Sequence, residues 1–225
     1  GRSTVHRVRT PPRVLWLFAL WVGVLTLLTG PLLLINPLFI GWLQERHDVA
    51  DGLHLPQDEL DRINGEIVWD IFSGGDFDVT FANGEPVLDT EERSHMADVS
   101  RLVRILVILD AVAIAFAAWG GRLLRTDPAR LGRLLIAGAG TAGVATVLMG
   151  VFAIAAWDSA FTLFHELLFP PGTWSFPPDS TMILLYPPEF WFEAAMIAAV
   201  LILATSATLS FGGWLRIREA NEAAA

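Results

Sequence analysis

The chain has 225 residues, 53% of them hydrophobic, with a formal net charge of -9 and no cysteine, and its mean hydropathy is positive. A soluble domain of this length rarely has such a composition. The missing cysteine excludes disulfides, thiolate metal ligands and a cysteine nucleophile. All basic side chains other than histidine are arginine, which excludes a Schiff-base lysine. The acidic balance leaves no basic face for nucleic acid.

Four segments are long enough to cross a bilayer core of about 30 Å, which takes roughly 20 helical residues. They fall at about 14–36, 102–124, 131–157 and 190–215. The first stays apolar past Pro37 to Leu43, too long for a cleaved signal core. Arg2, Arg7, Arg9 and Arg13 precede it; Arg122, Arg125, Arg130 and Arg133 flank the second connection; Arg216 and Arg218 follow the last segment. By the positive-inside bias these regions and both termini are cytoplasmic, leaving 41–100 and 158–189 outside the cytoplasm. The expected fold is an all-α membrane protein: residues 1–225 form one integral membrane domain, a four-helix bundle with a small α+β extracytoplasmic loop domain between its first two helices.

Within the first outer connection, Leu60, Ile63, Ile67 and Ile71 recur at helical spacing, predicting an amphipathic helix over Asp58 to Phe72. Phe77, Val79 and Phe81 alternate, Asn83-Gly84 follows, and Val87 resumes the alternation, the pattern of a hairpin. Asp89 or Thr90 then caps a helix with Glu91 and Glu92 in its first turn, running unbroken into the membrane near Leu102. Asp110 lies inside that segment and calls for a partner, with Thr205 or Ser206 as candidates. In the third segment Gly138, Gly140, Gly143 and Gly150 suit close helix packing.

The stretch from Phe164 to Phe192 links the last two apolar segments. It contains six prolines (170, 171, 177, 178, 187 and 188) and many aromatics. Proline fixes the backbone, and aromatic rings favour the membrane–water boundary, so this is a shaped cover at headgroup depth. His47 and His54, in the acidic loop, read as solvated. His95 and His165 each stand at the outer end of a membrane element, with Asp98 and Glu166 close behind in sequence. An unperturbed imidazole has a pKa of about 6.5 and exchanges protons near neutrality. General base help contributes roughly 10²–10⁴ in rate and an oxyanion donor about 10²–10³. A metal set of His95, Asp98, His165 and Glu166 is the rival reading, although its spacing matches no standard zinc pattern. Arg101 and Arg104 are placed to hold a phosphate or carbonyl or to snorkel. Asp179 and Tyr186 are candidates to fix the proline-rich cover. Trp174, Phe176, Phe190, Trp191 and Phe192 are candidates to line acyl chains.

At these residues the chain resembles a bacterial integral-membrane family, the lipoprotein intramolecular transacylases. The resemblance rests on His-Met-Ala-Asp-Val at 95–99, Phe-His at 164–165, and Trp174, Phe176, Pro177 and Asp179. It extends to the run Leu185-Tyr186-Pro187-Pro188-Glu189-Phe190, beside four spans and a large first loop. It implies a multi-pass protein of the bacterial cell membrane whose partners are diacylated lipoproteins and membrane lipids, working without a cofactor. The implied reaction moves an acyl chain from the glycerol ester of a diacylglyceryl lipoprotein to the α-amine of its N-terminal cysteine, leaving a lyso-form lipoprotein. The family's catalytic histidines map to His95 and His165. His95 is the expected base, oriented by Asp98, with His165 stabilising the developing charge or returning the proton. Two alternatives stand beside this: a non-catalytic protein binding a partner through its acidic loop, and a metal-dependent membrane hydrolase.

Overall fold

A computed structural model describes residues 12–224. The arginines at 2, 7 and 9, and His6, lie outside them. Element order within these residues is α1 (Pro12–Leu34), α2 (Pro37–Arg46), α3 (Val49–Leu53), α4 (Gln57–Ser73), α5 (Thr90–Leu123), α6 (Pro128–Ala155), α7 (Trp157–Leu168), α8 (Thr181–Leu185) and α9 (Pro188–Glu222). Four of them, α1, α5, α6 and α9, are long and apolar enough to cross a membrane, so the protein is a multi-pass membrane protein.

The long helices begin and end where local chemistry dictates. Asn36 interrupts the first apolar run: its side chain accepts from Phe39 N at 3.0 Å and Pro37 takes the first position of α2, where a missing N–H costs nothing. Asp89 caps α5 by accepting from the N–H groups of Glu91 and Glu92, and the Glu92 carboxylate accepts from Asp89 N at 2.8 Å. This reciprocal capping box starts a helix of 34 residues, which at about 1.5 Å per residue exceeds a bilayer core. Its first turns therefore stand clear of the apolar stretch that begins at Leu102.

Close helix packing in lipid uses small residues. A side chain on Gly138 would run into the Ala19 carbonyl of α1, and one on Gly143 into Ser206 of α9. Ser206 Oγ donates to Ala139 O at 2.7 Å across the same contact. Gly140 and Gly150 face open space. Asp110 is buried, but its partner is Thr29 of α1, whose Oγ1 donates to it at 2.8 Å. Neither expected donor reaches it, because Thr205 Oγ1 is spent on Leu201 O and Ser206 on α6.

The large first connection folds over one end of the bundle. α4 buries Leu60, Ile63, Ile67 and Ile71, the stripe its sequence spacing predicts, against Leu43, Phe77, Leu88, Leu185 and Phe190. The amide core beneath is fully engaged: Gln44 Nε2 donates to Leu185 O at 2.8 Å, Asn64 Nδ2 donates to Gln44 Oε1, and the Tyr186 hydroxyl donates to Asn64 Oδ1 at 3.4 Å. These bonds tie α2, α4 and the residues around α8 together. His47, expected in solvent, instead lies 3.1 Å from Glu193 of α9, which also pairs with Arg46 at 2.9 Å.

The expected α+β loop domain is not formed; the protein is all-helical. Among the described residues only an isolated bridge, Thr80 to Pro86, stands where the hairpin was expected. Phe81 N bonds Glu85 O, Asn83 Oδ1 accepts from Glu85 N, and Gly84 takes φ +86. The turn is therefore wider than a two-residue Asn-Gly hairpin. Pro86 has no N–H to extend a ladder. Phe77 sits at φ +57, its N–H bound to Asp70 Oδ2 at 2.9 Å, and its fully buried ring takes the chain out of strand geometry.

Glycine substitutions in α6 test this packing. Gly138→Val should lower the unfolding temperature in detergent, while Gly140→Ala should leave it unchanged or raised, since alanine is favoured over glycine in a helix by about 1 kcal/mol. Equal effects on a fluorescence melting curve would contradict the assigned helix contacts.

Candidate active site

His95 lies one turn after Glu92 on the buried face of α5, which also carries Met96, Ser100 and Val103. It stands about two turns before the apolar stretch begins. His165 lies in the last turn of α7, a helix ended by Phe169 and the following Pro170-Pro171 pair. The chain separates the two histidines by the whole of α6, yet their ring centroids are 6.2 Å apart at 29°.

Aromatic side chains enclose the pair. Phe169, itself buried, sits edge-on to His95 at 4.9 Å and lies 5.5 Å from His165. Phe176 is 5.6 Å from His95. Around His165, Phe161 is at 4.1 Å, Trp174 at 5.0 Å and Phe164 at 5.3 Å. The proline-rich segment supplies Trp174 and Phe176; Thr173 Oγ1 donates back to Pro170 O at 2.9 Å, and Gly172 turns the chain at φ +80. That φ is one glycine adopts without penalty.

The enclosure sets the state of both rings. His95 is only 6% exposed. Burial, and next the neighbouring His165, push its pKa down to about 4, against the raising influence of Asp98. Burial also lowers the pKa of His165, opposed by its bond to Phe161 O. Both imidazoles are consequently neutral at physiological pH. His165 Nδ1 lies 2.8 Å from Phe161 O. A carbonyl can only accept, so Nδ1 carries the hydrogen and the neutral ring presents its lone pair at Nε2. His95 Nδ1 is buried with no hydrogen-bond partner, as is the indole Nε1 of Trp174. A buried polar group without a partner costs about 1–3 kcal/mol, so two in one enclosure mark it as more than packing.

The remaining candidates fall outside this enclosure. Asp98 accepts from Arg101 at 2.8 Å, and no hydrogen bond joins it to His95 Nδ1, so it does not orient that ring as expected. Arg104 bonds the Ser100 carbonyl at 3.4 Å and lies beside Gly74. Glu166 and Asp179 are exposed. Tyr186 is buried in the amide core, where burial raises its pKa. Among the described residues no three histidine, aspartate or glutamate side chains converge as a metal set. An open depression of about 540 Å³, lined by Arg62, Glu66, Trp69, Asp76 and Asp78, contains neither histidine.

Two residues that sequence reading passed over, and one that it placed only in the first turn of α5, matter here. Phe161 accepts from His165; its position four residues earlier on one helix was the available signal. Phe169 touches both imidazoles but looked like any apolar residue before a proline pair. Glu92 is 2% exposed, and beyond its capping role its Oε1 accepts from Met182 N at 2.9 Å. The pattern Asp89-x-x-Glu92 predicts the cap, but nothing local predicts the second bond to α8.

The burial of His95 has a measurable consequence. The unfolded chain takes up a proton near the ordinary value of about 6.5, the folded chain only at about 4. Protonation in that window favours unfolding, so stability falls as pH drops from 6.5 toward 4 and is indifferent to this group above 6.5. An NMR titration of His95 with a midpoint near 6.5 would contradict the burial argument.

The family model described as "Lipoprotein intramolecular transacylase Lit" matches residues 15–191 of this chain. Solved structures similar to it include the membrane integral lipoprotein intramolecular transacylase Lit from Bacillus cereus. That structure has a TM-score of 0.82 at 18% identity, covering 93% of this chain and 97% of the other. A form of the same protein with one histidine replaced by arginine gives a TM-score of 0.74 at 18% identity, covering 94% of each chain. An uncharacterized protein of Aquifex aeolicus is 27% identical over 135 residues, 59% of this chain; the match spans 59% of that relative's length.

Proposed function

Since the chain belongs to the lipoprotein intramolecular transacylase Lit family, we propose that it transfers an acyl chain within a lipoprotein, from the second glycerol position to the α-amine of the N-terminal cysteine. The observation that carries this reading is the pair of imidazoles 6.2 Å apart, from distant segments, inside one aromatic enclosure. Family membership supports a lipoprotein substrate. The diacylglyceryl form of it is the reading that the chemistry favours, because the ester and the attacking amine are then in one molecule.

The geometry favours His165 as the base, the reverse of the assignment suggested by Asp98. Its Nδ1–H is fixed on Phe161 O, which leaves Nε2 free to take a proton from the amine as nitrogen attacks the ester carbonyl carbon. A carbon–nitrogen bond forms and the carbonyl oxygen becomes negative. The carbon–oxygen bond to glycerol then breaks, and the proton passes from His165 to the departing glycerol oxygen. His95, held neutral by burial, is a donor of one N–H toward the reacting oxygens. No external energy source enters, because an ester becomes an amide. Holding amine and ester together supplies effective molarity worth about 7–11 kcal/mol at best, and the aromatic walls favour transfer over hydrolysis by limiting the approach of water.

Membrane placement follows from the same reading. The arginines at 122, 125, 130, 133, 216 and 218 lie at one end of the bundle segments in sequence order, and the histidines belong to the connections at the other. This supports an extracytoplasmic site at glycerol-ester depth in a bacterial cell membrane, with cytoplasmic termini.

His95→Ala and His165→Ala should each lower formation of N-acylated lyso-lipoprotein by about 10²–10⁴, measured by mass spectrometry of a co-expressed lipoprotein. Normal product from either variant removes that residue from the mechanism. With both imidazoles already neutral, kcat/KM should rise with pH along the substrate amine's titration, half-maximal near about 7.7–8.0. The sign follows from the need for a free amine. A midpoint near 6.5 would return control to a histidine of ordinary pKa.

A further inference from the structure

We propose that Trp174 is a further catalytic residue, its indole N–H donating a hydrogen bond to the oxyanion that forms when the amine attacks the ester. The proposal rests on the transacylase reading and adds a second donor, one that does not titrate, to the N–H of His95. Within the enclosure, polar atoms are few. Phe161, Phe164, Phe169 and Phe176 offer none from their side chains. The Nδ1–H of His165 is committed to Phe161 O at 2.8 Å, so that ring meets the substrate as an acceptor. Trp174 Nε1 is buried without a partner, on a ring 5.0 Å from His165. An indole nitrogen is a donor only and does not titrate. It therefore presents a hydrogen at every working pH, next to the group that removes the amine's proton.

The surroundings suit a fixed donor rather than an adaptable acyl wall. Thr173, the preceding residue, is tied to Pro170 O through both its backbone N–H at 3.3 Å and its hydroxyl at 2.9 Å, and proline pairs bracket the loop at 170–171 and 177–178. A preorganised donor costs no reorganisation at the moment of reaction. The step is balanced without any change at Trp174: the new carbon–nitrogen bond forms, the carbonyl oxygen carries the charge while it accepts from Nε1–H, and the charge leaves with the glycerol oxygen, which takes the proton held by His165.

The test compares wild type, Trp174→Phe and Trp174→His in detergent. One ligand is a lipopeptide whose second-position ester is replaced by a tetrahedral phosphonate, and the other is the parent lipopeptide with its amine acetylated. The donor assignment predicts that Trp174→Phe lowers kcat and weakens phosphonate binding in parallel, by about 10²–10³, while binding of the acetylated lipopeptide is unchanged. Trp174→His, which keeps an N–H, recovers part of both. Should Trp174→Phe not fold, wild type with 15N-labelled indoles answers the same question: the phosphonate moves the Trp174 N–H resonance downfield. Wild-type protein that makes N-acyl product, paired with a Trp174→Phe variant that binds phosphonate equally well, or with an unmoved resonance, overturns the donor and leaves the transacylase reading standing. Folded wild type that makes no N-acyl product overturns that reading and the donor with it.

Discussion

One imidazole taken out of water, with a second half-buried against it, sets the terms for everything around the pair. A histidine at the membrane surface would ordinarily titrate near its pKa of about 6.5 and carry a proton part of the time. Here Phe169 lies against both rings, Phe176 against one and Trp174 against the other. Desolvation lowers the pKa of both rings, and His165 further disfavours charge on His95. The single hydrogen bond from His165 to Phe161 O settles which nitrogen keeps the lone pair. Neutrality and tautomer together leave a lone pair free at Nε2 of His165.

Keeping two distant segments in register is the task of the rest of the fold. Glu92 does this most directly. One oxygen closes the cap of α5 and the other receives Met182 N, so the turn before His95 is bonded to the far side of the proline-rich segment. Gln44, Asn64 and Tyr186 carry the same connection through the core of the outer unit. Below, α1 packs on α5, α6 and α9 through glycines and the Thr29–Asp110 bond. Prolines end α7 and begin α9, so the intervening chain is short of freedom before any substrate arrives.

The large features were legible because they rest on patterns summed over many residues. Four spans follow from hydropathy, α4 from its stripe of Leu60, Ile63, Ile67 and Ile71, and the start of α5 from Asp89 and Glu92. What escaped depends on single long-range contacts. The alternation at 77–87 looked like a hairpin because burial of every second residue was read as a sheet face; Phe77, Val79 and Val87 are buried without a ladder, which Pro86 has no N–H to extend. Asp98 looked like the orienting partner of His95 because three residues apart share a helix face, but Arg101, three further on, shares that face too and holds the carboxylate. Asp110 found Thr29 rather than α9 because sequence reveals a need for a partner, not which neighbouring helix meets it. The meeting of His95 and His165 was expected from equal depth and from family resemblance. The rings that enclose them were not all visible, since Phe161 and Phe169 resemble any other apolar residue on paper.

Transfer within one molecule, rather than release and recapture of a fatty acid, is the central claim, and a crossover experiment reads it directly. A diacylglyceryl lipopeptide with a deuterated second-position chain is mixed with an unlabelled lipopeptide of different peptide mass, and the products are weighed after incubation with the protein. The account predicts that each chain stays with its own peptide as an amide on the cysteine, with no mixed species and no free fatty acid. Deuterated chains appearing on the unlabelled peptide, or released as free acid, would contradict it.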